Sequence, residues 1–282
     1  VKTLPLLLTL LLSAPAHAQS TEGRAEALVF STAFGLYQGV AISILLDDYG
    51  LMPSGDNAIV AGAALTLLTT AGSFAGTWAI SEKYGVNEAQ ARVVNSSFTW
   101  AMLNAGMLSA GVNLNGTDTL WTTLISGWTG QGLGILLAAN VDRTPGQVGL
   151  MNTVATWSGA ETAILMGALE LKADRGYFTW PAIVADAGLL TGSWIASRVQ
   201  ISDSRARMLD LGALAGGLAA PAALFMVWGP EDHLQNWYLG AVAVGVPAGI
   251  ALAWHLTQDW DAGKPLTPST QALMVPLWFG GF

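Results

Sequence analysis

The sequence predicts an all-α protein of about eight hydrophobic helices, arranged as four tandem helical hairpins embedded in a membrane. Three observations carry this expectation. Charged residues make up 11% of the chain and apolar residues 52%, whereas ordinary soluble domains carry roughly 25% charge. Long apolar segments follow one another with short polar separators. A Gly-xxx-Gly step recurs at Gly72 and Gly76, Gly130 and Gly134, Gly188 and Gly192, and Gly245 and Gly249, at offsets of 58, 58 and 57 residues. A period of that length marks a repeat architecture.

Residues 1–18 read as a cleaved signal peptide. Lys2 supplies the basic start, Leu6 to Leu12 the apolar core, and Ala16-His17-Ala18 the small-residue cleavage site, with Gln19 as the mature N-terminus. That core is too short to cross a bilayer, which takes roughly 20 residues. The helical repeat domain is expected over 19–261, followed by a Pro/Gly-rich tail over 262–282.

Within the repeat domain the apolar segments lie near 25–46, 57–81, 89–112, 118–140, 146–170, 178–199, 204–228 and 235–257. Most hold twenty or more consecutive uncharged residues, and at about 1.5 Å per residue each reaches across a hydrocarbon core of about 30 Å. They do not alternate with period two and exceed strand length, so they read as helices. The separators supply punctuation. Gly85 suits a helix C-terminus, Asn87 and Ser202 suit N-caps, and Thr144-Pro145 pairs an N-cap with a first-turn proline. Pro221 and Pro247 fall inside expected helices, which membrane helices tolerate.

The Gly-xxx-Gly helices alternate with a second kind. There Gln90, Asn95, Thr99 and Trp100 match Gln147, Asn152, Thr156 and Trp157 at an offset of 57. A third copy has Arg205 and Asp210 in place of the Gln and Asn, and Ala215 in place of the Trp. Small residues at i and i+4 let helix backbones approach closely, a main source of helix attraction in lipid. All eight repeat glycines are therefore assigned to packing, and the asparagines to hydrogen bonds between helices.

Composition excludes several functions. With a net charge of −8, the chain lacks the cationic footprint of a nucleic-acid binder. It has no cysteine, so disulfides, thiolate metal sites and a Cys nucleophile are excluded. Three histidines, His17, His233 and His255, do not suggest a metal cluster, and no Gly-x-Ser-x-Gly, His-Glu-x-x-His or phosphate loop is present. No enzyme activity, cofactor or metal is expected.

Three carboxylates interrupt apolar runs: Glu161, Asp186 and Asp210. Charge at the centre of a membrane helix costs at least about 2.5 kcal/mol, so such groups face partners or a cavity. Glu161 occupies the repeat position of Asn104, and Asp210 that of Asn95 and Asn152. Together with Gln131 these residues form the candidate polar layer. One reading makes it an ion or proton path. The other makes it interhelical hydrogen bonding, with Arg92, Arg205 and Arg207 as candidate partners.

Basic residues are uneven between loops. Lys83, Arg92, Arg143, Arg198, Arg205 and Arg207 fall on one side, and Lys172 and Arg175 on the other. An inner-membrane protein keeps its basic side cytoplasmic, yet a cleaved signal places Gln19 and Arg24 on that same side outside the cytoplasm. An uncleaved signal, a segment that does not span, or a location outside the inner membrane each resolves this conflict. Met274 to Phe282 ends on an aromatic residue and resembles, over about ten residues, the C-terminal signal of outer-membrane barrels. Pro276 and two glycines break its alternation, and the chain as a whole lacks barrel strands. The expectation is a non-enzymatic cell-envelope membrane protein with a structural or assembly role, leaning to the outer membrane. Its expected partners are the lipid bilayer, other envelope proteins or further copies of itself. The alternative is a channel or transporter for ions or small solutes.

Overall fold

A computed structural model describes residues 22–140, 142–171, 176–229 and 234–261. The expected signal peptide and C-terminal tail lie outside the described residues, as do Lys172 and Arg175. The described residues form eight α-helices and no strand. They are α1 (Arg24–Asp48), α2 (Asp56–Tyr84), α3 (Glu88–Gly111), α4 (Gly116–Asn140), α5 (Pro145–Ala168), α6 (Gly176–Ala196), α7 (Asp203–Trp228) and α8 (Gln235–Leu256). A 3₁₀ turn, Gln258–Asp261, follows.

Local chemistry sets the boundaries. Asn87 and Thr144 each form a reciprocal capping box with the Gln three residues on, and Pro145 takes the first turn of α5. Ser202 caps α7 through Arg205 N. Gly85 ends α2 at φ +69°, where a side chain would be strained.

Each odd-numbered helix packs along the helix that follows it, giving four hairpins. The odd helices α1, α3, α5 and α7 also touch in succession and form an inner row. Each hairpin leans on the next in one way, through α1 on α4, α3 on α6 and α5 on α8.

One side chain near the start of every odd helix clips the end of its partner. Arg24 Nη2 donates to Ser81 O at 3.2 Å and Gln90 Nε2 to Ala138 O at 3.4 Å. Gln147 Nε2 donates to Ala196 O at 2.7 Å and Arg205 Nη2 to Trp254 O at 3.4 Å. The acceptors are 57, 58 and 58 residues apart.

Close approach runs along the hairpin seams. A Cβ added at Gly130 would lie 2.5 Å from Ala101 Cβ, and one at Gly134 2.8 Å from Val94 Cα. A Cβ added at Gly188 would lie 3.0 Å from Ala155 Cα, and one at Gly192 3.0 Å from Met151 Cα. Gly245 and Gly249 face Gly216 and Gly212 backbone to backbone.

The first hairpin corrects the sequence reading. Gly72 and Gly76 do not pack, since a Cβ on either meets nothing within 4 Å. If Ser81 is the counterpart of Ala138, the counterparts of Gly130 and Gly134 are Ser73 and Thr77. The glycines stand one residue away, about 100° around the helix. The close approach comes instead from Gly35 and Gly39 on α1, against Thr70 and Thr66.

Side-chain size is distributed inside out. The largest fully buried side chains include only three leucines and two valines, beside Thr257, Ser81 and Ser109. Val29, Ile59, Leu67, Leu190 and Met226 are each at least 70% exposed. Among the described residues four helices, α1, α2, α7 and α8, are long and apolar enough to cross a membrane.

Candidate functional site

The odd helices all begin at one end of the molecule, and their first turns converge on Arg92 of α3. Its guanidinium Nε lies 3.4 Å from Glu26 of α1, and Nη2 lies 2.6 Å from Glu88 one turn back. Nη1 donates to Pro145 O at the start of α5 at 3.3 Å. Both terminal nitrogens reach Asp203 on α7, with Nη2 to Oδ2 at 3.1 Å. One side chain therefore ties together all four inner helices. Asp203 also pairs with Arg207 at 2.7 Å.

Above this hub lies a polar cleft of about 390 Å³. Glu26, Arg92, Asn95, Ser96, Asn152, Asp203, Arg207 and Asp210 line it, with Gly149 and Ala206. Gly149 occupies the register of Arg92 and Arg207 (92, 149, 207), so the repeat places no third guanidinium in the cleft, and a Cβ added there would lie 2.9 Å from Ala206 Cβ. A second cleft of about 470 Å³ continues from the first between α3, α5 and α6. The two share Asn95, Ser96 and Asn152. Beyond these the second is mostly apolar, lined by Trp100, Leu103, Met107, Ala160, Ala163, Pro181 and Ala185 among others.

The candidate polar residues do not form one layer. Asn152 accepts from Trp100 Nε1 at 3.1 Å and donates to Ser96 Oγ at 2.6 Å. Asp210 accepts from Trp157 Nε1 at 3.1 Å. These two share the polar cleft with Asn95. Asn104 donates to Asp186 at 2.5 Å, further along the helices. Glu161, on α5, keeps one carboxylate oxygen buried without a hydrogen-bond partner. Gln131, on α4, lines neither cleft, and neither do Glu161, Asn104 and Asp186.

The arginines expected to partner these acids pair elsewhere. Arg92 and Arg207 meet Asp203, and Arg205 meets Asp261 at 3.2 Å. Partial burial pushes the Asp261 carboxyl up, but hydrogen bonds from Ser202 and Arg205 outweigh it and hold it below the usual carboxylate range. Among the described residues no group of three His, Asp or Glu side chains is placed to hold a metal ion. The sequence reading names Arg92 only as a candidate partner of the intramembrane acids and misses Glu26 and Asp203, because it compares the repeats at their Gln, Asn and Trp positions. Extending that comparison to Arg92, Gly149 and Arg207 exposes the shared register.

Fold and site together define a tandem array of α-hairpins with a polar cleft among its inner helices. No protein-family model, curated protein or solved structure matches the chain.

Proposed function

We propose that the chain is a non-enzymatic integral membrane protein of the cell envelope with a structural or assembly role. The observation that carries this reading is the inverted distribution of size, with Gly, Ala and Ser at the seams and large apolar side chains outside. A molecule in water gains nothing from that arrangement, whereas in lipid the seams supply the packing and the outer face is solvated by acyl chains. Exposed tryptophans support crossings by α6 and α8. Trp180 and Trp194 on α6, and Trp237 and Trp254 on α8, mark two levels 14 and 17 residues apart. At about 1.5 Å per residue these spacings are roughly 21 and 26 Å, matching girdles at the edges of a core of about 30 Å.

A structural role follows from the use of the polar groups. Asn152, Asp210, Asn104 and Asp186 are each engaged by a side chain of a neighbouring helix, so they serve as ties between hairpins. All seven Lys and Arg side chains among the described residues lie at the end where the odd helices begin. With an exported N-terminus that end faces away from the cytoplasm, contrary to the inner-membrane rule, which favours the outer membrane. Lipid is the immediate partner, and the exposed apolar faces of α2 and α7 suit further copies or other envelope proteins.

The second reading, a channel or transporter, rests on Glu161 and its unpartnered buried oxygen. Separation of inner and outer membranes on a density gradient, with mass spectrometry of the mature N-terminus, tests the first reading. Outer-membrane fractions and an N-terminus at Gln19 are expected, and recovery only in the soluble fraction sinks it. Proton or ion flux in proteoliposomes, abolished by changing Glu161, Asp186 and Asp210 together to Gln and Asn, would establish the second.

A further inference from the structure

We propose that the two joined clefts form one binding groove for a zwitterionic phospholipid of the phosphoethanolamine type. Its headgroup sits in the polar cleft and one acyl chain lies in the apolar cleft. The proposal rests on the membrane reading above and goes beyond it by naming a specific lipid site.

The first argument is continuity. Asn95, Ser96 and Asn152 line both clefts, so the polar chamber and the apolar one adjoin along α3 and α5, where the Asn152–Ser96 hydrogen bond marks their junction. A free polar solute has no use for the second chamber, and a hydrocarbon has none for the first. An amphiphile fills both.

The second argument is length. Asn95 to Met107 along α3 spans 12 residues, about 18 Å at 1.5 Å per residue. One leaflet of hydrocarbon is roughly 15 Å deep, half of a core of about 30 Å. The apolar cleft therefore matches one acyl chain lying along the membrane normal. Its charged end lies at the helix ends, at headgroup level.

The third argument is charge. Two guanidiniums, Arg92 and Arg207, face three carboxylates, Glu26, Asp203 and Asp210, a net −1. Arg92 is consumed by the hub, but Arg207 has a side chain 67% exposed and is held only by Asp203. Asp210 spends one oxygen on the Trp157 indole. A phosphate finds Arg207 and a primary ammonium finds Asp210, three residues apart on one face of α7. An anionic headgroup meets a lining that is already negative.

The test is native mass spectrometry of the full chain after exchange into detergent micelles carrying palmitoyl-oleoyl phosphatidylethanolamine or the matching phosphatidylglycerol. The wild-type chain is expected to retain one phosphatidylethanolamine and to release phosphatidylglycerol. Ala160→Trp fills the apolar cleft and is expected to abolish retention, with helicity by circular dichroism confirming the fold. Arg207→Gln alters an exposed side chain and is expected to weaken retention about tenfold, the worth of one charge-assisted hydrogen bond. Equal retention of both lipids overturns the headgroup assignment, and undiminished retention by Ala160→Trp overturns the groove. Alkaline carbonate extraction of native membranes, run in parallel, separates the two levels. Release of the wild-type chain removes the membrane reading itself, whereas a membrane-retained chain with unchanged lipid binding removes the groove alone.

Discussion

The indole of Trp100 on α3 donates to the side-chain oxygen of Asn152 on α5 at 3.1 Å. One repeat further, Trp157 on α5 donates to Asp210 on α7 at the same distance. The two rungs join successive hairpins, and they explain a gap in the repeat. The third tryptophan would stand at Ala215, where no third rung forms, since no described hairpin follows α7 and α8. At the other end, Asn95 occupies the acceptor register. There α1 presents Phe34, whose ring lies 4.0 Å from that of Phe98, and an aromatic contact takes the place of the rung.

Removing a rung should weaken the join between hairpins. Trp157→Phe keeps most of the ring but leaves the Asp210 carboxylate without its indole donor, at an expected cost of about 1–2 kcal/mol. Trp100→Phe should cost less, about 1 kcal/mol, because Asn152 keeps its bond to Ser96. Denaturant or thermal unfolding of Trp157→Phe, Asp210→Ala and the double variant measures the coupling. Strict additivity would show that the rung contributes nothing.

The glycines divide by seam. Gly216→Ala should destabilise sharply, since its new methyl would be driven into the backbone of Gly245. Overpacking of this kind costs about 1–3 kcal/mol or more. Gly72→Ala should have the opposite sign, because its position is open and Ala is a better helix former by about 1 kcal/mol. Melting temperatures of the two variants decide the matter, and a loss of stability in Gly72→Ala would restore that glycine to a packed face.

Much of this architecture was legible in the chain, and the failures have physical causes. Period, helix order, Asn87, Thr144, Pro145 and Ser202 could be read because capping and helix length are local properties. The seam of the first hairpin could not. A one-residue slip leaves the spacing of Gly72 and Gly76 intact while turning both off the contact face, and spacing alone does not record rotation. The Arg92 hub was hidden for another reason. Asp203 is 111 residues away, and only the leaning of each hairpin on the next brings the first turns of α1, α3, α5 and α7 to one point.

Arg92→Gln tests that convergence. The change leaves Glu26, Glu88 and Asp203 near one another without their shared cation. Arg92 is only 14% exposed and Asp203 27%, so the pair lies between the buried and surface limits, and a loss of about 2–3 kcal/mol is expected. Arg207→Gln, at a side chain 67% exposed, should cost under about 1 kcal/mol. Comparable losses in both variants would show that Arg92 is an ordinary surface ion pair and not the tie of four helices.

Acid should loosen the C-terminal 3₁₀ turn before it unfolds the helices. Asp261 accepts from Ser202 N at 3.1 Å and pairs with Arg205 at 3.2 Å, which fastens the turn after α8 to the start of α7. These bonds hold its carboxyl below the usual carboxylate range in the folded chain. A free aspartate titrates near pH ~3.9. The folded state therefore binds the proton less readily than the unfolded state, and the stability from this linkage is fully present above that range. It is lost as pH falls below about 4 and through the lower folded value. Protonation would also leave Arg205, 8% exposed, without its carboxylate, so the loss should appear as release of the turn and of the α7 start. Thermal stability measured between pH 6 and 2 should fall in this window for the wild-type chain. Asp261→Asn should start less stable at pH 6 and show a shallower decline. Parallel curves for the two chains would assign the acid sensitivity to other carboxylates, with the Arg92 cluster the next to test.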